Sequence, residues 1–365
     1  MSQAERYPAV INRRYSMKTA DYEKCASRIA QALQLESGEQ VLLKLDPRIF
    51  SGIVAPLQNV IRASGAHISG VILAEDTTGS SDGELACLRK AFNDADVFIW
   101  LPELRQGSRP ALAKALVEWL DARRGRAVHF HWQSGSYPIG FAELPSQDFI
   151  DRLYLAALDV SPAELETRHQ KAIPVLRSGP IRVTTPEGTD ITFEAGERPF
   201  CSQIGDATRE RMQLARTRID RDIELPGGVL RVAPIETSAN GAVFLPVWRP
   251  VFTEGHNLFL RFINGHAAIQ GANADKIDEE LSAAGGDARM FREFALGFNP
   301  ALKVLSEAPF IGYYGYGSGV VRLSLGDNEE MGGANRGGGV YWNFLHNATV
   351  IAGDRTVVRE GNLLL

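Results

Sequence analysis

Five polar side chains in the C-terminal part of the chain have types that could do chemistry together. Glu236 ends the segment A-P-I-E, Glu293 lies in F-R-E-F-A-L-G-F-N-P, and Arg322 begins R-L-S-L-G-D-N. Tyr341 and Asn343 stand two residues apart in a later apolar segment. Carboxylates can hold a metal or move protons. Arginine stays protonated and offers a metal no lone pair, and neutral tyrosine and asparagine are poor ligands. These types favour charge pairing over metal binding.

Two glycine-dense segments lie near these residues in the chain, at 312–319 and 332–339. Glycine permits positive φ and a close approach of the backbone. The second segment could cradle a substrate through its backbone N–H groups, with Asn335 and Arg336 as partners of a substrate carboxylate. The alternative is that both segments are mobile turns. Neither is a phosphate-binding P-loop, because no Gly-Lys-Ser or Gly-Lys-Thr follows.

Histidines supply weaker candidates for a site. His129 and His131 flank Phe130 on a predicted apolar strand. At positions i and i+2 of a strand they point to the same side and could bind a metal. The sequence offers no evident third ligand, and ordinary hydrogen bonding is the simpler interpretation. His346, which follows Asn343 by three residues, is a further weak candidate for a ligand or an acid–base group.

The first part of the chain alternates apolar strands with helical segments. Strands are predicted at 41–45, 68–73, 97–101 and 127–132. Largely apolar strands that alternate with helices indicate a parallel sheet covered on both faces. We predict a doubly wound, Rossmann-like α/β domain over residues 1–175. No G-x-G-x-x-G follows the first strand, so nucleotide binding is not supported.

From Ile181 the chain changes character. Short strand-like segments separated by Pro and Gly follow, and Asn264-Gly265 between two apolar runs predicts a β-hairpin. A helix is predicted over 274–284. We therefore predict a β-rich α+β domain over residues 176–365, and this domain carries all five polar side chains of the candidate site.

Composition narrows the classes of function. The chain has 365 residues, of which 44% are hydrophobic and 23% charged, and a net charge of −5. This balance argues against nonspecific binding to nucleic acid or an anionic membrane, and no apolar run is long enough to span a bilayer. Three widely spaced cysteines are typical of a reducing compartment. Because the N-terminus lacks a signal-peptide pattern, we expect a cytoplasmic protein with a small-molecule substrate.

Several motifs have an order and spacing that resemble those of a known enzyme family. Glu224–Glu236 is similar to L-P-x-G-E-V-x-x-A-P-x-E, Glu293–Pro300 to E-L-G-I-G-T-N-P, and Leu325–Gly333 to L-G-D-N-x-x-x-G-G. These motifs resemble the M29 aminopeptidase family, which includes the aminopeptidase T type of thermophilic metallo-aminopeptidase. The layout is also similar to that of 2,5-dihydroxypyridine 5,6-dioxygenase. The resemblance runs through most of the chain and implies an M29-type fold and a homodimer.

The resemblance also implies which positions would hold metal. In the aminopeptidases two divalent metals are held by five side chains, and Glu236 and Glu293 stand at the two glutamate positions. Arg322, Tyr341 and Asn343 stand where the family has His, His and Asp. The dioxygenase-like relatives bind one iron through a His at the position of Glu293 and the same His-x-Asp pair. This sequence therefore departs from both ligand patterns and has the character of a degenerate metal site.

A cation has thus entered where metal ligands were lost. If Glu236 and Glu293 converge, their repulsion raises the pKa of one carboxyl unless a cation lies between them. The Arg322 guanidinium could bridge both by forked, charge-assisted hydrogen bonds and so replace the metal. In this hypothesis Glu293, Arg322 and Tyr341 are catalytic, with Tyr341 as a donor or general acid, and Asn343 orients the substrate.

We accordingly expect no cofactor. If a metal is retained, it would be a weakly bound zinc, cobalt, manganese or iron on Glu236 and Glu293. The expected function is that of a repurposed hydrolase-type enzyme that acts on a small amino-acid-like substrate without metal. Two alternatives stay open: a mononuclear-iron, ring-opening dioxygenase, and a non-catalytic binding or scaffold homologue.

Overall fold

The structure is a computed structural model of the chain. It describes residues 17–74, 82–103, 109–132, 135–140, 142–250 and 253–365. The described residues divide into two compact units. The first unit takes its residues from 1–134, 146–159 and 204–227, and the second from 135–145, 160–203 and 228–365. The chain therefore passes between the units several times. A single domain boundary near residue 175 stays a prediction.

The helices of the described residues are distributed over both units. Those of the first unit are α1 (Thr19–Leu33), α2 (Val54–Ala63), α3 (Asp82–Asn93), α4 (Pro110–Asp121), α5 (Gln147–Ala157) and α7 (Arg209–Gln213). Those of the second unit are α6 (Pro162–Leu176) and α8 (Ala274–Ala284). No helix in the described part of the chain is long and apolar enough to cross a membrane.

The strands follow the same division. The first unit has β1 (Gln40–Leu45), β2 (His67–Leu73), β3 (Val97–Trp100), β4 (Arg126–Phe130) and β9 (Asp222–Leu225). The second unit has β5 (Tyr137–Pro138), β6 (Ile181–Thr184), β7 (Asp190–Phe193), β8 (Phe200–Gln203), β10 (Val229–Val232), β11 (Asn240–Trp248), β12 (Gly255–Ile263), β13 (His266–Ala272), β14 (Phe291–Gly297), β15 (Phe310–Ile311), β16 (Val321–Gly326), β17 (Val340–Leu345), β18 (Thr349–Ala352), β19 (Arg355–Arg359) and β20 (Asn362–Leu363).

The first unit is built on a five-stranded parallel sheet in the order β2-β1-β3-β4-β9. Its central strands are apolar because both of their faces are covered. On one face Leu42, Phe98 and Ala127 of the sheet pack in a cluster with Phe92 and Trp119 of α3 and α4. The predicted parallel sheet is confirmed. The structure adds β9, which arrives from much later in the chain.

β2 is an edge strand, whereas the sequence predicted a buried one. Its residues alternate between exposed and half-buried, and the side chains of Val71 and Leu73 are half exposed. The apolar pattern of this segment predicts a strand correctly. It does not distinguish a central strand from an edge strand, because that difference depends on which strands pair with it.

The second unit contains two large antiparallel sheets and a two-stranded one, in which β5 pairs with β15. One large sheet has five strands in the order β17-β16-β14-β10-β8, and the other has eight in the order β13-β12-β11-β7-β6-β18-β19-β20. Aromatic rings join them: the ring centre of Phe193 on β7 lies 5.0 Å from that of Phe291 and 5.4 Å from that of Phe294, both on β14. Phe262 on β12 lies 5.4 Å from Phe291. This apolar layer is the core of the second unit.

The predicted hairpin is present and helps to position a glutamate. β12 and β13 join at Asn264 and Gly265, whose φ angles are 49° and 79°. Positive φ at both central residues is the geometry that an Asn-Gly turn favours. Gly265 also lies against neighbouring backbone, since a Cβ there would be 2.0 Å from the carbonyl oxygen of Glu236. The turn therefore packs directly on the segment that carries Glu236.

Candidate functional site

A fully buried carboxylate lies within the five-stranded sheet of the second unit. Glu293 on β14 has no solvent exposure. Its Oε1 accepts hydrogen bonds from Nε of Arg231 and, at 2.8 Å, from Nη2 of Arg322. Its Oε2 accepts from Nη1 of Arg292 and, at 2.9 Å, from the hydroxyl of Ser324. Three guanidinium groups and one hydroxyl thus surround a single carboxylate.

Strand register brings these side chains together. Across the neighbouring antiparallel strands β10, β14 and β16, Arg231 pairs with Ala295, and Ala295 pairs with Arg322. Glu293 pairs with Ser324. Directly paired residues of antiparallel strands project to the same face of a sheet. These polar side chains therefore share one face, and the phenylalanines of the core occupy the other.

A β-bulge adds the third arginine. The register of β14 and β16 shifts between Phe291 and Glu293, and Arg292 is the extra residue. In a regular strand consecutive side chains point to opposite faces, so Arg292 and Glu293 would point apart. Instead the Arg292 guanidinium donates to Oε2 of Glu293 and to the carbonyl oxygen of Asp327.

A second carboxylate completes the group. Oε1 of Glu330, in the short turn Glu329–Met331, accepts from Nη2 of Arg231 at 2.8 Å and from Nη2 of Arg292 at 2.5 Å. The Glu330 side chain is 31% exposed, whereas that of Glu293 is fully buried. We call these five residues the arginine–glutamate cluster: Arg231, Arg292, Glu293, Arg322 and Glu330. The cluster combines three positive with two negative charges.

The arginines keep both carboxyls of the cluster ionised. Burial acts to raise the pKa of Glu293, but attraction by Arg231, Arg322 and Arg292 outweighs it and holds that pKa well below its ordinary value. Burial opposes ionisation of Glu330 too, and Arg231 and Arg292 again lower its pKa. Glu293 is therefore ionised, and both of its oxygens accept hydrogen bonds. A carboxylate in that state is poorly suited to take a proton from a substrate.

Arg322 is 3% exposed but incompletely bonded. Nη1 donates to the carbonyl oxygen of Tyr314 at 2.9 Å, and Nη2 donates to Glu293. Its buried Nε–H has no hydrogen-bond partner among the described residues. The guanidinium carbon lies 5.9 Å from the ring centre of Tyr316 and 5.8 Å from that of Trp342, within cation–π range. A buried N–H without a partner is costly, so a ligand that accepts from it would stabilise this position.

Glu236 is held by a separate set of partners. It is buried, and its Oε1 accepts from Nδ2 of Asn328 at 2.9 Å and from the backbone N–H of Ala334 at 2.6 Å. Its Oε2 accepts from Arg198 at 2.8 Å.

The predicted bridge by Arg322 is therefore present on one side only. Arg322 bonds Glu293, and the cation that neutralises Glu236 is Arg198. The Arg322 guanidinium donates to Glu293 and to a backbone carbonyl oxygen. Glu236 is instead paired with Arg198, which precedes β8.

The glycine-rich segment 332–339 does cradle three carboxylates and one amide oxygen, but they belong to the protein. Its backbone N–H groups donate to side-chain oxygens in the pairs Ala334 to Glu236, Asn335 to Asn328, Arg336 to Asp287 and Gly337 to Asp327. The predicted substrate cradle is thus filled by the chain itself at four consecutive positions.

The side chains of Asn335 and Arg336 have different surroundings. Asn335 is buried, and its amide donates to the carbonyl oxygens of Phe291 and Gly326, both at 3.0 Å, so it ties β14 to β16. Arg336 is largely exposed, and its Nε lies 3.4 Å from Oε1 of Glu329. Binding of a substrate carboxylate by these two residues stays a prediction, and for Asn335 it would require the loss of two structural hydrogen bonds.

Tyr341 and Asn343 point away from the cluster. In the register of β16 and β17, Arg322 pairs with Phe344. Because side chains alternate along a strand, Phe344 and Trp342 share the face of Arg322, whereas Tyr341 and Asn343 project to the opposite face. The structure therefore does not bring Tyr341 and Asn343 together with Glu293 and Arg322.

Tyr341 instead packs in the core of the second unit. Its ring lies 6.4 Å from that of Trp248 on β11, with the two planes within 25° of parallel. Asn343 is buried beside it, and its Nδ2 lies 3.4 Å from the carbonyl oxygen of Tyr341. Their predicted roles as general acid and substrate-orienting residue stay untested and would have to operate from the core side of the sheet.

Three cluster residues were missing from the sequence-based site. Arg231 lies in V-L-R-V and Arg292 in F-R-E-F. A charged residue inside an apolar strand needs a partner when it is buried, and this signal could have identified both. Glu330 lies in D-N-E-E-M beside the exposed Glu329, and nothing in the sequence separates the two.

The residues present do not fit a two-metal centre. In the part of the chain that the structure describes, no three His, Cys, Asp or Glu side chains come close enough together to hold a metal ion. Both oxygens of Glu293 face guanidinium groups, which repel a divalent cation. Glu236 is bound to another guanidinium, that of Arg198.

The fold is mixed α/β, with one parallel sheet and several antiparallel sheets, and it is consistent with an M29-like fold. The chain is similar to a solved structure of 2,5-dihydroxypyridine dioxygenase from Pseudomonas putida KT2440, at 15% identity over 95% of this chain and 98% of that one, with a TM-score of 0.66. It is similar to AmpT from Thermus thermophilus, an M29 aminopeptidase, at 15% identity over 95% of this chain and 100% of that one, with a TM-score of 0.63.

These similarities are similarities of fold. No family model matches the chain, and no curated protein matches its sequence. The resemblance that the sequence motifs indicate is confirmed at this level, and it covers nearly the whole of both solved chains.

Proposed function

We propose that this chain is a metal-independent protein of M29-type fold that binds a small amino-acid-like molecule through Arg322. The observation that carries the proposal is an excess of positive charge in the arginine–glutamate cluster, next to an N–H donor of Arg322 that lacks an acceptor among the described residues. The arginine–glutamate cluster has one more guanidinium than carboxylates, and the Nε–H of Arg322 has no hydrogen-bond partner within the described part of the chain. A ligand carboxylate would supply both the missing negative charge and the missing acceptor.

The surroundings of Arg322 suit a carboxylate. A planar guanidinium presents N–H groups in a fork that matches carboxylate oxygens, and such charge-assisted hydrogen bonds are stronger than neutral ones. Tyr316 and Trp342 flank the guanidinium and hold it in place through cation–π contact. Glu293 holds the same guanidinium through Nη2 at 2.8 Å.

Binding has more support than catalysis. A hydrolase-type reaction needs a proton acceptor. Glu293 is a poor one, because its pKa is lowered and both of its oxygens already accept hydrogen bonds. A ring-opening dioxygenase needs iron, and the guanidinium groups around Glu293 do not fit a metal. A binding protein that has exchanged metal chemistry for charge recognition is the function that the cluster supports best, and a repurposed hydrolase is its enzymatic alternative.

A calorimetric titration tests this proposal. The protein is titrated with a panel of amino acids, their N-acyl derivatives and the matching decarboxylated amines. We expect at least one carboxylate to bind and its decarboxylated analogue to bind at least about tenfold more weakly, since a charge-assisted hydrogen bond contributes roughly 1.5–3 kcal/mol.

A matched pair of variants assigns the binding to Arg322. Arg322→Gln should weaken the carboxylate by about tenfold or more. Arg182→Gln removes an exposed arginine of the same unit and should leave affinity unchanged. Equal affinity of the wild type and Arg322→Gln, or no binding of any carboxylate in the panel, would overturn the proposal.

A further inference from the structure

A second cluster of polar groups lies in the first unit, at the carboxyl ends of parallel strands. Lys44 near the end of β1 pairs in register with Trp100 at the end of β3. The sheet order places β2 on one side of β1 and β3 on the other. The chain therefore reverses its direction of progress across the sheet between β1 and β3. Open α/β sheets bind ligands at such a reversal, outside the carboxyl ends of the strands.

Lys44 is held there by a carboxylate and a ring. Its Nζ lies 2.6 Å from both carboxylate oxygens of Glu103 and 3.8 Å from the centre of the Trp100 ring. Trp100 donates through Nε1 to the same carboxylate at 3.2 Å. The Lys44 and Glu103 side chains are only 2% and 5% exposed.

The fold gives no reason for a lysine at this position. The other residues of β1 after Gln40 are Val41, Leu42, Leu43 and Leu45. Leu42, two residues earlier on the same face, packs in the apolar cluster beneath α3 and α4. A buried ion pair contributes little net stability compared with apolar residues of similar size. A strand that is otherwise apolar therefore carries its single charge where a ligand would meet it.

Two histidine rings extend the cluster across the sheet. His129 on β4 lies 4.1 Å from Trp100, ring centre to ring centre, and His131 lies 4.3 Å from His129. Nε2 of His129 is buried without a hydrogen-bond partner among the described residues. Burial lowers the pKa of His131 to about 3, and burial, His131 and Lys44 hold that of His129 well below its ordinary value. Both rings are therefore neutral, so they add no positive charge beside Lys44.

Burial makes the free amine of Lys44 more abundant than that of an ordinary lysine. Burial lowers its pKa to about 8, against the opposing attraction of Glu103 and Asp46 and with a further lowering by Arg109. At pH ~8 roughly half of such a lysine is the neutral amine, compared with less than about 1% of an ordinary lysine. The neutral amine is the form that attacks a carbonyl carbon.

We propose that Lys44 is a covalent capture site for small carbonyl compounds, at which its amine condenses with an aldehyde or ketone to form an imine. The nitrogen lone pair adds to the carbonyl carbon, and Glu103 carries one proton from the nitrogen to the alkoxide oxygen, which gives the carbinolamine. Glu103 then transfers the second nitrogen proton to the hydroxyl, which leaves as water while the C=N bond forms. The sum is amine plus carbonyl compound giving imine plus water, with no oxidant or reductant.

Reductive trapping tests this site in the intact chain. The protein is incubated with propionaldehyde and sodium cyanoborohydride, which reduces an imine to a propylated lysine, and each lysine is quantified by peptide mass spectrometry. Lys276 on α8 is exposed and serves as the internal reference. At pH ~8 we expect Lys44 to be labelled at least about tenfold faster than Lys276, because a much larger fraction of it is free amine.

Three controls keep the result specific. In the urea-unfolded chain the two lysines should be labelled at equal rates, since the advantage of Lys44 comes from the fold. As pH is raised above ~8, the ratio of the Lys44 rate to the Lys276 rate should fall. Lys44→Arg keeps the positive charge and should lose labelling at this position alone. A Lys44 peptide that stays unmodified while Lys276 reacts, or a rate ratio that does not change with pH, would overturn the proposal.

Discussion

Glu293 is the residue on which the candidate site depends. A carboxylate without solvent exposure cannot stay ionised unless opposite charge and hydrogen-bond donors compensate for the lost hydration. Arg231, Arg292 and Arg322 provide that compensation, in the role that divalent cations play in a metal centre. Substitution of guanidinium for metal changes the chemistry. A guanidinium neutralises and positions a carboxylate, but it cannot activate water as a Lewis-acidic metal does.

Removal of the central carboxylate should be strongly destabilising. Glu293→Gln leaves three guanidinium groups with one partly exposed carboxylate, and breaking a buried charge pair costs about 3–5 kcal/mol. Chemical denaturation of the variant measures the loss in the free energy of unfolding. Glu330→Gln is the matched control, and its cost should be under about 1 kcal/mol because solvent screens its 31% exposed side chain. Equal losses in the two variants would contradict the central role of Glu293.

The contribution of Glu293 should depend on pH in a defined direction. Its folded-state pKa is lowered, so its ionisation stabilises the fold fully above the ordinary glutamate pKa of about 4.3. As pH falls below that value, the glutamate becomes protonated in the unfolded chain but stays ionised in the folded chain. The stabilisation from Glu293 therefore declines until pH reaches its pKa in the folded chain. The difference in unfolding free energy between the wild type and Glu293→Gln should therefore shrink below pH ~4. A difference that stays constant down to pH ~3 would argue against an ionised Glu293.

At the scale of elements, strand alternation decides which residues can meet. Sequence spacing alone groups Tyr341 and Asn343 with Arg322. The pairing of β16 with β17 instead places Trp342 and Phe344 beside Arg322. A one-residue change in register exchanges the two faces of a strand, so this question cannot be answered from the motif itself.

The register can be tested by rebuilding a metal site. The triple variant Arg322→His, Trp342→His, Phe344→Asp places imidazole and carboxylate ligands on the face of Glu293 and should bind zinc. The triple variant Arg322→His, Tyr341→His, Asn343→Asp introduces the same residue types but sends two of them into the core, so it should bind at least about tenfold more weakly. Competition with a zinc-sensitive dye measures both. The reverse order of affinity would show that the register is different.

The Asn-Gly turn between β12 and β13 should be sensitive to a single methyl group. Gly265→Ala puts an L-residue at a φ of 79° and a Cβ 2.0 Å from the Glu236 carbonyl oxygen. We expect a loss of about 2–4 kcal/mol in unfolding free energy, from backbone strain together with the clash. Gly285→Ala has a similar φ of 68° but open space around the Cβ, so only the strain term, about 1 kcal/mol, should remain. Thermal and urea denaturation of both variants separates the two effects.

At the scale of the whole molecule, each unit carries its own polar cluster. The second unit has the arginine–glutamate cluster within an antiparallel sheet, and the first has Lys44 and Glu103 at the end of a parallel one. Both clusters depend on charges placed inside strands that are otherwise apolar. The fold is shared with proteins of different chemistry, an aminopeptidase and a dioxygenase. The fold alone therefore does not specify the reaction, which depends on the residues of the site.

Stability of the whole chain should not depend on divalent metal. Under the metal-independent proposal, protein purified without chelator should carry less than about one equivalent of zinc, cobalt, manganese or iron, and EDTA should leave its Tm unchanged within about 1 °C. Elemental analysis and a thermal scan measure these two quantities. Stoichiometric metal that stabilises the chain would contradict the metal-independent proposal. Zinc, cobalt or manganese would favour a metal-dependent hydrolase, and iron would favour the ring-opening dioxygenase.

The sequence by itself determined the features that depend on neighbouring residues. The apolar strands of the parallel sheet, the Asn264-Gly265 turn and the helix Ala274–Ala284 follow from side-chain periodicity and turn chemistry, both of which are local. Motif order also indicated the fold and identified Glu293 and Arg322, which the structure does bring into contact.

Only the tertiary structure decided how those residues are surrounded. Arg231 and Arg198 reach Glu293 and Glu236 from strands and loops far away in the chain, and the bulge at Arg292 turns a third guanidinium inward. The face on which Tyr341 lies depends on a strand register that no local pattern specifies. Burial then fixes the charge states, because a carboxylate enclosed by arginines and a lysine enclosed by apolar strands shift their pKa values only once the fold has removed water from them.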